Sequence, residues 1–248
     1  MSEDLSILSR TANPPDLSLS YGDHADQVAD IRYGSKGSEL PLLVLIHGGF
    51  WKPEYDRAHA EAMSCALAEA GWTTLTLEYR RVSGQPDVTL DDVMSALTTL
   101  PARVQRHNAQ VILIGHSAGG HLVLWAAARC AQLGLPLVLQ GVVALAPAVD
   151  LQMAHALNLG DGAVLRFLGQ DPVQRPDVNP MHLPTPTAAV TIIQGDDDEI
   201  VPPVVAASYC AAFPNTRLVS LPDCGHFAVI DPATVAWEAV VHELRSLA

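Results

Sequence analysis

The stretch "VILIGHSAGGHLVLWAAA", residues 111–128, decides how the rest of the chain is read. Val111 to Ile114 are apolar without alternation, as in a strand buried on both faces, whereas the residues after Ala118 follow a helical spacing. Between the two lies Gly115-His116-Ser117-Ala118-Gly119, a G-x-S-x-G turn in strand–turn–helix context. Such a turn holds its serine in a strained conformation while the chain passes close to itself on either side, an approach that glycine tolerates. The Ser117 hydroxyl then stands at a sheet edge, at the positive end of a helix dipole. The same five residues could serve only to pack a helix on a strand. With the strand before them and the helix after, Ser117 reads as a nucleophile.

Working outward, runs of the same apolar kind recur on both sides of this segment. "QVADIRY", "LPLLVLIH" and "WTTLTLEY" precede it; "LVLQGVVALAP", "AAVTIIQG" and "TRLVSLP" follow. Amphipathic stretches at 55–70, 90–107, 118–133, 202–213 and 232–247 lie between or after them. Strands alternating with helices of this length predict βαβ units, hence an α/β fold with a mainly parallel central sheet and helices on both faces. The rhythm breaks at about 150–186, where short helical patterns ("LQMAHALNL", "GAVLRFLG") lead into a proline-rich run. So long an excursion reads as a small cap insertion over the carboxyl edge of the sheet. Residues 1–20, with Asn13-Pro14-Pro15, read as a loosely held N-terminal arm, and 21–248 as one domain.

Composition narrows the partners. The 248 residues are 49% hydrophobic, enough for a sizeable core. Fourteen Lys and Arg against 27 Asp and Glu give a net charge of −13, which repels a nucleic-acid backbone. No uninterrupted apolar run reaches the roughly eighteen residues of a membrane span. The opening "MSEDLSILSRTANPP" lacks a basic segment followed by a long apolar one, so the expected address is the cytoplasm. Cys65, Cys130, Cys210 and Cys224 are scattered without a CxxC pair, which suggests neither a zinc cage nor a disulfide framework. No metal or organic cofactor is expected. A small-molecule ester or amide is the expected partner, and the sequence is compatible with a homodimer.

A serine hydroxyl is a weak nucleophile until a base takes its proton, and the base needs an acid to orient it. Of ten histidines, His226 alone lies in a glycine-flanked loop after a late strand, "DCGHF". His59, His107, His121 and His242 fall in helical patterns, and His116, next to Ser117 in a tight turn, points away from it as packing or as a group near the substrate. Before Pro202 stand Asp196, Asp197, Asp198 and Glu199 in one loop; their spacing does not choose among them.

With its elbow serine, late acid and later histidine, the chain resembles the α/β-hydrolase superfamily over nearly its whole length after the arm. In that superfamily the acid commonly stands as Gly-x-x-Asp-x-x-Val-Pro. "GDDDEIVP" matches this with Asp198, which completes a Ser117–Asp198–His226 triad. The resemblance also gives a place to "LIHGGFW", residues 45–51. Lipases and esterases carry an HGG turn after this strand, whose amides help form the oxyanion hole. It implies donation by Gly49 or Phe50 together with Ala118, bracing by His47, and Phe50 and Trp51 as wedges that also wall an acyl pocket.

Within the superfamily, HGG followed by an aromatic residue and Trp is similar to the kynurenine formamidase (arylformamidase) branch and neighbouring small esterases, where the turn often reads His-Gly-Gly-Tyr-Trp. "SYGDHADQVADIRYG" and "LEYRRV", with Glu78 for an aspartate, add to that similarity. The implied activity is hydrolysis of a small carboxylic ester or aryl formamide. A catalytically silent receptor or interaction module of the same fold is the alternative from another class.

Overall fold

Every apolar run becomes a strand, and the connections dictate how the strands pair. The computed structural model describes residues 3–133 and 138–248. Its sheet contains β1 (Leu17–Ser20), β2 (Val28–Arg32), β3 (Leu42–Ile46), β4 (Thr74–Leu77), β5 (Gln110–His116), β6 (Val138–Leu145), β7 (Ala189–Gly195) and β8 (Arg217–Leu221). The order is β1-β2-β4-β3-β5-β6-β7-β8. β2 runs antiparallel to both β1 and β4, and all other neighbours are parallel. Parallel pairs need crossovers. These are α1 (Glu61–Glu69), α2 (Pro86–Thr99) and α3 (Ala118–Leu133), then the insertion with α4 (Leu151–Ala156) and α5 (Ala163–Leu168), then α6 (Pro203–Ala212); α7 (Ala236–Ser246) closes the chain.

Period-two geometry divides the strands between two cores. Leu42, Val44 and Ile46 of β3 face the core shared with α2, α3 and α6, whereas Leu43 and Leu45 face the core shared with α1 and α7. β5 divides in the same way, with Val111 and Leu113 on one side and Ile112 and Ile114 on the other. Both faces of the sheet are therefore covered, the arrangement of the α/β-hydrolase fold. Among the described residues no helix is long and apolar enough to cross a membrane.

Three details depart from the sequence reading. The arm is not loose: β1 pairs with β2, Ile7 is buried, and Arg10 pairs with Asp231. Glu3 accepts from the Phe227 amide at 2.9 Å, beside His226. The stretch expected to be helical at 90–107 begins earlier, at Pro86, and yields to a 3-10 turn at Pro101–Arg103. Proline is at home in the first turn of a helix, but cannot donate to the turn before it. The helix expected at 55–70 starts as a 3-10 turn at Arg57–Ala60, where Asp56 accepts from the Ala58 amide. The expected β6 run began at residue 137, which lies outside the described residues.

Candidate active site

Parallel strands present their carboxyl ends at one edge, and loops at that edge are where such sheets hold ligands. Here the loops after β3, β4, β5, β7 and β8 bring His47–Trp51, Glu78–Arg81, Ser117, Asp198 and His226 to that edge.

Ser117 has φ +55°, in the left-handed region. For a residue with a side chain this costs ~1–3 kcal/mol, so the surroundings must hold it. They do so through its own backbone: Ser117 N donates to Leu145 O at 2.9 Å, and Ser117 O accepts from Ala148 N at 3.1 Å. Gly119 sets the approach of the helix. A Cβ there would lie 2.0 Å from Ile46 O, so only glycine lets the elbow seat on the end of β3.

The acid and base meet. His226 Nδ1 donates to Asp198 Oδ2 at 2.7 Å, with both side chains buried. Gln194 Nε2 donates to the same oxygen at 3.0 Å; the amides of Ile200 and Val201 donate to Oδ1 at 2.9 and 2.8 Å. Four donors thus converge on one carboxylate, which as an acceptor-only group satisfies all of them. Of the four acidic residues in this loop only Asp198 is buried; Asp196, Asp197 and Glu199 are exposed. With Asp198, Asp223 and Asp231 these three help line a cleft of about 600 Å³ whose lining does not include Ser117.

Among the described residues no hydrogen bond joins Ser117 Oγ to His226 Nε2. Their neighbourhood is set through His116, whose Nε2 donates to His226 O at 3.0 Å. Such catalytic bonds are often long before substrate binds.

The HGG turn faces the elbow. Lys52 N donates to Gly49 O at 2.9 Å, closing a turn whose central residues Phe50 and Trp51 have φ +52° and +54°. Both positive values mark a mirror-image turn, which bulky residues adopt at ~1–3 kcal/mol apiece. Gly49, at φ +106°, lies so close to Tyr55 that a Cβ would meet its Cβ at 2.4 Å. Among the described residues, the amides of Gly49, Phe50 and Ala118 have no acceptor in the protein.

Trp51 and His116, each read from sequence both as a packing group and as one near the substrate, are packed tightly. Trp51 is only 4% exposed, wedged between Phe167 and His121. His116 is 3% exposed, and both ring nitrogens are engaged by the protein, leaving none for a ligand.

Behind the turn is a charge network of which sequence inspection picked out only parts. His47 donates from Nδ1 to Gly48 O at 2.8 Å, and its Nε2 lies 3.1 Å from Glu78 Oε1. Tyr79 stacks on His47 with centroids 4.4 Å apart and donates its hydroxyl to His47 O at 2.9 Å. Arg81 also bonds Glu78. Burial pushes the Glu78 carboxyl up, but His47 and Arg81 outweigh it and hold it at about 2. "LEYRRV" had flagged Glu78, although its partners are joined to it only by the fold.

Nothing in the spacing signalled His59. Its Nε2 lies 2.9 Å from His116 Nδ1. Because His116 Nε2–H is spent on His226 O, its Nδ1 must accept from His59. Burial, aided by the neighbouring histidines, drives His59 down to about 3 and His116 well below its ordinary value; burial alone takes His121 to about 4.

A stability prediction follows. These imidazoles stay neutral when folded but take up protons when unfolded below about pH 6.5. Stability should therefore fall as pH drops from about 6.5 toward 4, before protonation of Glu78 removes more between about 4.5 and 2. Urea midpoints measured from pH 7 to 4 should decline, and less steeply in His121→Gln. A flat profile contradicts the assignment.

Among the described residues no group of three or more His, Cys, Asp and Glu side chains is arranged to hold a metal ion. The edge brings together an oriented imidazole, a strained serine and amides without an acceptor among the described residues.

Known proteins resemble the chain in sequence and in fold. The family model described as BD-FAE matches residues 30–209. The probable carboxylic ester hydrolase LipM of Mycobacterium tuberculosis is 29% identical over 134 residues, 46% of this chain. The match spans only 31% of that relative's own length. Among solved structures, esterase B of Lactobacillus rhamnosis superposes with a TM-score of 0.78 at 20% identity, covering 98% of this chain and 89% of that one. A truncated carbohydrate esterase from gut microbiota gives 0.77 at 19%, covering 95% and 99%. At such identities these two likenesses concern the fold.

Proposed function

The chain belongs to the BD-FAE family, and from that premise we propose that it is a serine hydrolase cleaving a small carboxylic ester or aryl formamide through an acyl-enzyme. The observation that carries this reading is the 2.7 Å Asp198–His226 bond at the sheet edge that also holds Ser117 on its strained elbow.

Ser117 Oγ attacks the substrate carbonyl carbon as His226 Nε2 takes its proton, and Asp198 steadies the imidazolium through Nδ1. The carbonyl oxygen, now an oxyanion, is received by the amide of Ala118 and by that of Gly49 or Phe50. As the tetrahedral intermediate collapses, His226 returns the proton to the leaving alcohol or amine. Water then attacks the acyl carbon, giving its proton to His226, which passes it to Ser117 Oγ as the second tetrahedral intermediate collapses, so that the acid product leaves and both residues are restored.

Within this class the finer choice is between ester and formamide. Esters are favoured by the name of the M. tuberculosis relative, a probable carboxylic ester hydrolase. They are favoured also by Phe50, which lacks the hydroxyl of the tyrosine often found at the matching position in kynurenine formamidases. We expect kcat/KM on p-nitrophenyl acetate or butyrate to exceed that on N-formylkynurenine by about tenfold or more. The reverse ratio assigns the chain to the formamidases. Turnover of neither substrate class, with no covalent capture of a fluorophosphonate, supports the silent receptor instead.

A further inference from the structure

We infer that the insertion between β6 and β7 is a fixed brace for the oxyanion turn, with Phe167 as its positioning residue, rather than a mobile cap that closes over substrate. This rests on the hydrolase reading above and adds a role for a segment which that mechanism does not use.

The turn has a problem that the insertion solves. Phe50 and Trp51 both hold left-handed backbone, and within residues 49–52 only the closing bond from Lys52 N to Gly49 O and the Lys52 ammonium 5.7 Å from the Phe50 ring centroid are seen to support it. Residues kept in such conformations persist when their surroundings over-determine them. The surroundings here are largely the insertion. Phe167 of α5 stacks flat on Trp51, with centroids 4.6 Å apart and planes 10° from parallel. The Phe50 ring lies over Gly160, so that a Cβ there would meet it at 2.9 Å. Both strained side chains are therefore gripped by one segment.

That segment is itself riveted down. His121 of α3 presents its edge to Trp51 and donates from Nε2 to Val178 O at 2.9 Å. Trp125 donates to Asp177 O at 3.0 Å, Gly84 N donates to Arg166 O at 2.7 Å, and Ser208 of α6 donates to Asp150 at 3.1 Å. A lid needs to release such contacts to open. These bonds tie it to three separate parts of the hydrolase core, including α3, the helix that directly follows Ser117.

A brace and a substrate cap make different kinetic demands. Loosening a brace lets the amides drift from where the oxyanion forms, which lowers kcat and leaves ground-state binding alone. Loss of a substrate contact raises KM, increasingly so for longer acyl chains. We expect Phe167→Ala and Phe167→Leu to lower kcat about 10- to 100-fold, less than the loss of a whole oxyanion donor. KM for p-nitrophenyl acetate, butyrate and hexanoate should stay within about twofold. Phe167→Tyr, which keeps the ring face, should recover kcat to within about threefold of wild type. The rate of fluorophosphonate capture at Ser117, which builds a similar oxyanion, should fall in parallel.

Phe167→Leu keeps most of the buried volume and carries the test if the alanine variant does not fold. An unchanged kcat in a folded Phe167→Leu enzyme overturns the brace, as does a KM that rises with acyl length. If the wild type hydrolyses neither ester nor formamide and captures no fluorophosphonate, the hydrolase reading falls and this inference with it. An active wild type with an indifferent Phe167 removes this inference alone.

Discussion

Ser117→Ala is expected to lower kcat on p-nitrophenyl butyrate by about 10⁴- to 10⁶-fold, with KM nearly unchanged. The nucleophile is lost, while the amides of Gly49, Phe50 and Ala118 still receive the substrate carbonyl. The residual rate over water should come from those donors alone. Stability should hardly move, because alanine and serine tolerate the φ of +55° at this position about equally poorly. Fluorophosphonate labelling should disappear from the peptide carrying residue 117 and appear nowhere else. Labelling of the alanine variant at full stoichiometry, or esterase activity within about tenfold of wild type, would remove Ser117 from the mechanism.

Asp198→Asn should cost about 10³- to 10⁴-fold in kcat, through the tautomer of His226 rather than through geometry. The amides of Ile200 and Val201 both point at Oδ1, so an asparagine would keep its carbonyl oxygen there. Its NH2 would then occupy the Oδ2 place, facing His226 Nδ1. Nδ1 could meet that group only as an acceptor, which puts the imidazole proton on Nε2, where a base must be free. The exposed neighbours give the control: Asp197→Asn should stay within about threefold of wild type. Should Asp197→Asn be the crippled variant and Asp198→Asn the active one, the acid has been misassigned.

Much of this was legible in the residues because the strong signals are local. An uninterrupted apolar run such as Val111–Ile114 suits a strand covered on both faces, and its covered position between β3 and β6 follows from that. The glycines of the elbow mark close approaches that any side chain would block, and Gly119 against Ile46 O is one of them. Leu17–Ser20 escaped notice because its alternation of Leu and Ser lasts only four residues, too few to stand out beside the polar and proline-rich arm; antiparallel pairing with β2 makes them a strand. The choice of Asp198 among four acidic neighbours came from a family pattern, and burial explains it: one carboxylate turns inward to four donors while the others face water. His59 and Phe167 were beyond reach, since each acquires its role from residues more than 50 positions away.

By itself, the sequence determined seven of the eight strands and the place of most helices, where the serine elbow falls, and which loops carry an acid and a histidine. Those are matters of local sterics and of the period at which apolar side chains recur. Only the tertiary structure decided that Asp198, which a family pattern alone had singled out, meets His226, that His116 and Trp51 are sealed inside, and that the insertion packs on the Phe50–Trp51 turn. Each depends on which distant groups share a site from which water is excluded, and a linear pattern does not record that.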